Sequence, residues 1–104
     1  MKKLLAILLV LCMVIPAAAL GEEVVKIGVY EPATGDSGAG GKQEMLGMQY
    51  ANELFPTVKI GDTEYKVELV YADNGSSSDK APSAAQKLVS ENVSVVLGSY
   101  GSSV

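Results

Sequence analysis

Val24-Val25-Lys26-Ile27-Gly28-Val29-Tyr30 is a short, mostly apolar run rich in β-branched residues. Such a run, with little alternation, suits a strand covered on both faces. Pro32 to Gly41 follows, with glycines at 35, 38, 40 and 41, and is expected to be a loop. From Lys42 to Phe55, Met45, Met48, Ala51 and Phe55 recur at three- and four-residue steps. That spacing predicts one apolar helical face, ended by Pro56. Gly61-Asp62 is a turn, and Glu64 to Tyr71 predicts a second strand, with Tyr65, Val67 and Leu69 alternating against Lys66 and Glu68. Asp73 to Ser78 is a polar loop. Asp79 is placed to cap a second helix running to about Ser90, with Pro82 tolerated in its first turn. Its buried stripe would be Ala81, Ala84 or Ala85, Leu88 and Val89. Val93 to Leu97 predicts a third strand, and Gly98 to Ser103 a Gly/Ser loop.

The order strand, helix, strand, helix, strand implies an α/β fold with a parallel, doubly wound sheet and right-handed crossovers. A third parallel strand normally feeds another covering helix, so the chain is expected to be the incomplete opening of a larger domain. Ahead of it, Lys2 and Lys3 precede an unbroken apolar run from Leu4 to Ile15, then Pro16 and Ala17-Ala18-Ala19. Basic start, apolar stretch and small residues predict a cleaved secretory signal peptide over residues 1–21, leaving 22–104 as the mature part.

The chain has 104 residues and a formal charge of −4. Beyond the leader, six lysines stand against twelve acidic residues, and there is no arginine. That balance argues against nucleic acid as a partner. There is no histidine, and the single cysteine, Cys12, lies in the leader. Ser-His-Asp and Cys-His nucleophile systems, His or Cys zinc sites and a disulfide framework are excluded within this chain. A phosphate-binding P-loop fails at Asp36 and Gln43, and a dinucleotide fingerprint fails at Gln43. No cofactor is expected. Asp36, Glu44, Asp73 and Asp79 are assigned to capping and solvated loops rather than to a cation site.

In a doubly wound sheet, ligands bind beyond the carboxyl ends of the strands, where the strand order reverses. With a spatial order 2-1-3, the first and third strands are neighbours, and the loops Ala33–Gly41 and Ser99–Ser103 face each other. Their glycines and serines suggest a cradle for a carboxylate or other small anion. Plain turn chemistry is the competing explanation of the same residues. Tyr100 stands in this candidate cradle, where it can pack over an apolar ligand group or close the top of the core.

Ile27-Gly28-Val29-Tyr30, Thr34-Gly35 with Gly38 and Gly40-Gly41, Gly47, Tyr71-Ala72-Asp73-Asn74, Ala84 to Val89 and Val95 to Ser103 share an order and spacing with a known family. The chain resembles the start of the leucine/isoleucine/valine-binding proteins, which have the type I periplasmic binding fold. These are substrate-binding subunits of branched-chain amino-acid ABC transporters. The resemblance covers essentially all of the mature part. It implies the β-α-β-α-β start of lobe one, no enzymatic activity, a periplasmic or extracytoplasmic location, a small amino acid or amide as ligand, and a membrane permease as partner. It also places the ligand-binding loop on Gly101, Ser102 and Ser103, with the Ser102 hydroxyl and backbone N–H on the ligand's α-carboxylate. The first loop lines the cleft, and some members carry an aromatic residue where this chain has Gly40. A ligand-sensing regulatory module with the same fold, and a truncated product that binds nothing, are the alternative readings.

Overall fold

The computed structural model describes residues 23–104. The expected leader, residues 1–21, lies outside them. Six elements follow in order: β1 (Val24–Glu31), α1 (Gly38–Leu54), β2 (Thr57–Ile60), β3 (Thr63–Asp73), α2 (Ala81–Ser90) and β4 (Val95–Leu97). They form one four-stranded sheet in the order β2-β3-β1-β4. β1 runs parallel to β3, with Ile27 opposite Leu69 and Glu31 opposite Asp73, and parallel to β4, with Gly28 opposite Val96. The three parallel strands therefore stand in the 2-1-3 arrangement that the loop argument requires.

β2 was not foreseen, and it makes the sheet mixed rather than purely parallel. It pairs antiparallel with β3 around the Gly61-Asp62 turn, Ile60 opposite Thr63. Thr57-Val58-Lys59-Ile60 is only four residues long and all four are exposed. So short a run has no buried face to impose a pattern, and the hairpin partner supplies its order.

The helices lie on opposite faces of the sheet. Leu88 of α2 packs on Ala72 and Ala84, with Tyr30, Val70 and Val93 around them. Gly28 gives this helix room to approach, because a Cβ there would stand 3.1 Å from Leu88 Cδ1. On the other face, Met48, Ala51 and Phe55 line one hollow together with Ile27, Val67, Leu69 and Leu97.

The element bounds shift from those expected. α1 starts at Gly38 rather than Lys42, so its first turn is built almost entirely of glycine. Local propensity disfavours that, but a tight approach compensates, since a Cβ on Gly41 would stand 2.0 Å from the Pro32 carbonyl oxygen. α2 begins at Ala81, with Lys80 rather than Asp79 at its N-cap. Three residues expected on the apolar helix faces, Ala51, Phe55 and Val89, are exposed (Phe55 72%, Val89 67%), because each borders an open hollow on the flank of the sheet rather than a closed core. No helix among the described residues is long and apolar enough to cross a membrane.

Candidate functional site

The carboxyl ends of β1, β3 and β4 meet at one edge of the sheet, and three loops rise from it. The loop after β3 ties down the loop after β1. Asp73 Oδ1 accepts the backbone N–H groups of Ala33 (2.8 Å), Thr34 (3.3 Å) and Gly75 (2.8 Å), and its Oδ2 accepts the Thr34 hydroxyl (2.8 Å). Burial alone would push this carboxyl up, but these four donors outweigh it and hold Asp73 below the usual carboxylate range. Ser76 extends the staple. Its hydroxyl donates to the Thr34 carbonyl at 2.9 Å and accepts the Ser37 N–H at 2.9 Å. Asp73 is thus a loop anchor, in line with its assignment to loop structure. No cluster of metal-ligating side chains occurs among the described residues.

The loop after β4 is held by two buried polar residues. Asn74, fully buried, donates from Nδ2 to Ser99 Oγ at 2.8 Å. Glu31, 1% exposed, accepts the Tyr100 backbone N–H on Oε2 at 2.8 Å. Burial is the main force pushing the Glu31 carboxyl up, and the nearby Glu44 carboxylate adds to it, against the opposing pull of the Tyr100 N–H. Neither Glu31 nor Asn74 stood out in the sequence as part of a site. The available signal was an acidic residue closing an apolar strand directly before Pro32.

The structure brings the first and third loops together. The Tyr100 ring lies on the first turn of α1, where a Cβ on Gly40 would be 2.3 Å from the ring. Gly101 sits beside Ser37, since a Cβ there would lie 3.4 Å from Ser37 Oγ. Tyr100 remains 46% exposed, and Gly101, Ser102 and Ser103 are exposed. The N-terminal, positive end of the α1 dipole lies at the same edge. Hydroxyls, backbone amides, a helix N-terminus and one half-exposed phenol ring suit a small ligand with an anionic group and an apolar part. Two further hollows lie elsewhere, on the flanks of the sheet. One of about 710 Å³ borders Leu88, Val89, Val93 and Val96, and the other of about 580 Å³ borders Met48, Phe55, Leu69 and Leu97. Both are mainly apolar gaps with few polar groups to orient a ligand, so the loop edge is the better candidate.

Comparison with known proteins bears on the family and the fold. The family described as periplasmic binding protein matches residues 24–104, which includes every described strand and helix. The chain belongs to the periplasmic binding protein family. It is 30% identical over 104 residues to a Leu/Ile/Val-binding protein homolog 2 of Brucella abortus (strain 2308), and equally to that of Brucella abortus biovar 1 (strain 9-941). The alignment takes in 100% of this chain and 28% of those relatives. Among solved structures, it is similar to a leucine-binding protein LivK from Thermotoga maritima MSB8. The identity is 39%, the TM-score 0.64, and the match covers 72% of this chain and 21% of that one. The relatives are thus binding proteins of this family, and the expected fold is the observed one. The chain spans well under a third of their length.

Proposed function

We propose that this chain is the opening part of lobe one of an extracytoplasmic substrate-binding subunit of an ABC transporter, exported by a cleaved signal peptide over residues 1–21. Its ligand is a branched-chain amino acid or a related small amino acid or amide. The observation that carries this reading is the meeting of the loop after β4 with the loop after β1 and the first turn of α1, with Tyr100 seated on Gly40 and Gly101 beside Ser37. The names of the relatives, Leu/Ile/Val-binding and leucine-binding, support the ligand class.

In this reading the Ser102 hydroxyl and backbone N–H hold the ligand's α-carboxylate. Gly101, Ser103 and Gly40 line the cleft, and the Tyr100 ring packs over the ligand's apolar side chain. The protein performs no catalysis and needs no cofactor. Binding in the complete protein closes two lobes over the ligand, and the closed form docks on the membrane permease.

The test is a thermal-shift screen of the natively produced protein with leucine, isoleucine, valine, amides and aromatic acids. A ligand at one hundred times its Kd stabilises by about 2.7 kcal/mol, and Ser102→Ala is expected to weaken binding about tenfold. Absence of a shift with every compound ends the proposal. The intact mass of the exported protein tests the rest: a mass several times that of residues 22–104 is expected, and a mass equal to it removes the second lobe.

A further inference from the structure

Glu31 is the most deeply buried charged residue among the described ones, and the proposed binding chemistry does not use it. It closes β1, 1% exposed, under the loop that follows β4. Its Oε2 accepts the Tyr100 N–H at 2.8 Å across 69 residues of sequence. Its Oε1 is buried, and with both carboxyls ionised it has no donor, its neighbour being the acidic side chain of Glu44. The fit around it is close. A Cβ on Gly98 would stand 1.9 Å from the Tyr30 carbonyl oxygen and 3.3 Å from Glu31 Oε1, and Gly98 has φ of +141°. Only glycine lets the strand turn over this carboxyl.

A second buried residue works on the same two loop positions. Asn74 donates its backbone N–H to the Glu31 carbonyl (3.2 Å) and its Nδ2 to Ser99 Oγ (2.8 Å), and Ser99 Oγ in turn donates to the Tyr100 carbonyl (3.2 Å). Ser99 and Tyr100 are therefore gripped from below, while the next three residues, Gly101 to Ser103, are exposed. Burying a carboxyl with one oxygen unmatched is costly, and a strand end has cheaper ways to finish. Such cost persists where a loop must be held in one geometry.

We propose that Glu31 is the positioning residue of the ligand loop: its Oε2, by holding the Tyr100 N–H, sets where the donors of Gly101, Ser102 and Ser103 stand, without touching the ligand. This rests on the binding reading above and deepens it. Glu31 acts through Tyr100, and Asn74 is its companion on Ser99.

The test compares Glu31→Leu, which fills the space but accepts no hydrogen bond, with Glu31→Gln, which keeps an acceptor for the Tyr100 N–H. Two readouts are taken on the natively produced protein. Amide hydrogen exchange is measured without ligand, and leucine affinity is measured by calorimetry. In the parent, the Tyr100 amide is expected to exchange at least tenfold more slowly than those of Ser102 and Ser103. In Glu31→Leu, the amides of Tyr100 to Ser103 are expected to exchange about tenfold faster and leucine to bind about tenfold more weakly, with β1 and β3 protection unchanged. Glu31→Gln is expected to restore both to within about threefold. An unprotected Tyr100 amide in the parent, parent-like exchange in Glu31→Leu, or no rescue by Glu31→Gln overturns the proposal. The parent measurement stands even where Glu31→Leu fails to fold. Exchange needs no ligand, so a parent that binds no leucine counts against the binding reading while Glu31 is still tested.

Discussion

Asp73 and Glu31 face each other across the β1–β3 pair, and their environments push them in opposite directions. Four hydrogen-bond donors outweigh desolvation at Asp73 and lower it, so its ionised form stabilises the fold. That contribution is present above the carboxyl's unfolded value and is lost as pH falls through its lowered folded value. Asp73→Asn is expected to destabilise the protein by on the order of 1 kcal/mol at neutral pH, with the gap to the parent closing on acidification. Urea titrations of parent and variant at several pH values check this, and a gap that widens at low pH contradicts it. Glu31 runs the other way. Burial raises it, with Glu44 adding to the effect, so the fold favours the protonated acid. Stability falls as pH rises from the ordinary carboxylate range through the raised value. Glu31→Gln carries no such charge, and its melting temperature is expected to be flatter with pH over that window.

At the scale of elements, α1 carries a conflict between propensity and packing. Its first turn holds Gly38, Gly40 and Gly41, yet it is the turn on which Tyr100 sits. Gly40→Ala improves helix propensity by up to about 1 kcal/mol but places a methyl 2.3 Å from the Tyr100 ring. The expected outcome is a fold that melts no lower than the parent while leucine affinity drops severalfold. Loss of stability with unchanged affinity would mean the ring is mere packing. α2 presents the simpler case. Leu88 is 1% exposed at the centre of its small cluster, and Leu88→Ala is expected to cost about 2–4 kcal/mol in a denaturant titration. Ala85→Ser, on the exposed side of the same helix, is expected to change stability by less than about 0.5 kcal/mol.

Across the whole molecule, little apolar surface is enclosed. Val29, Ala72, Ala84 and Leu88 are the buried hydrophobic residues among those described, while Phe55, Val89, Val95 and Val96 are about half or more exposed. β4, three residues long, forms one outer edge of the sheet. Residues 22–104 made alone are expected to melt without a cooperative transition and to bind an apolar dye. A sharp, dye-free melt of that segment would refute the expectation.

The alternation of parallel strands and helices was legible in the residues, and a 2-1-3 strand order, once assumed, brought the two Gly/Ser loops to one edge. The alternation follows from local chemistry: β-branched runs make strands, three- and four-residue apolar steps make helices, and crossovers have one hand. Composition leaves these 104 residues without histidine and with a single cysteine, Cys12. Tertiary structure alone decided the rest. β2 exists because β3 pairs with it, not because Thr57 to Ile60 demand a strand. α1 starts four residues early, and its Gly41 is required because the Pro32 carbonyl lies where a Cβ would be. Phe55 and Val89 have the pattern of core residues but border open hollows here. The grip of Glu31 on Tyr100 spans 69 residues, and that of Asn74 on Ser99 spans 25. Periodicity reports which face of an element is apolar. It does not report which distant backbone group a buried carboxyl will meet, because that distance is set only when the strands align.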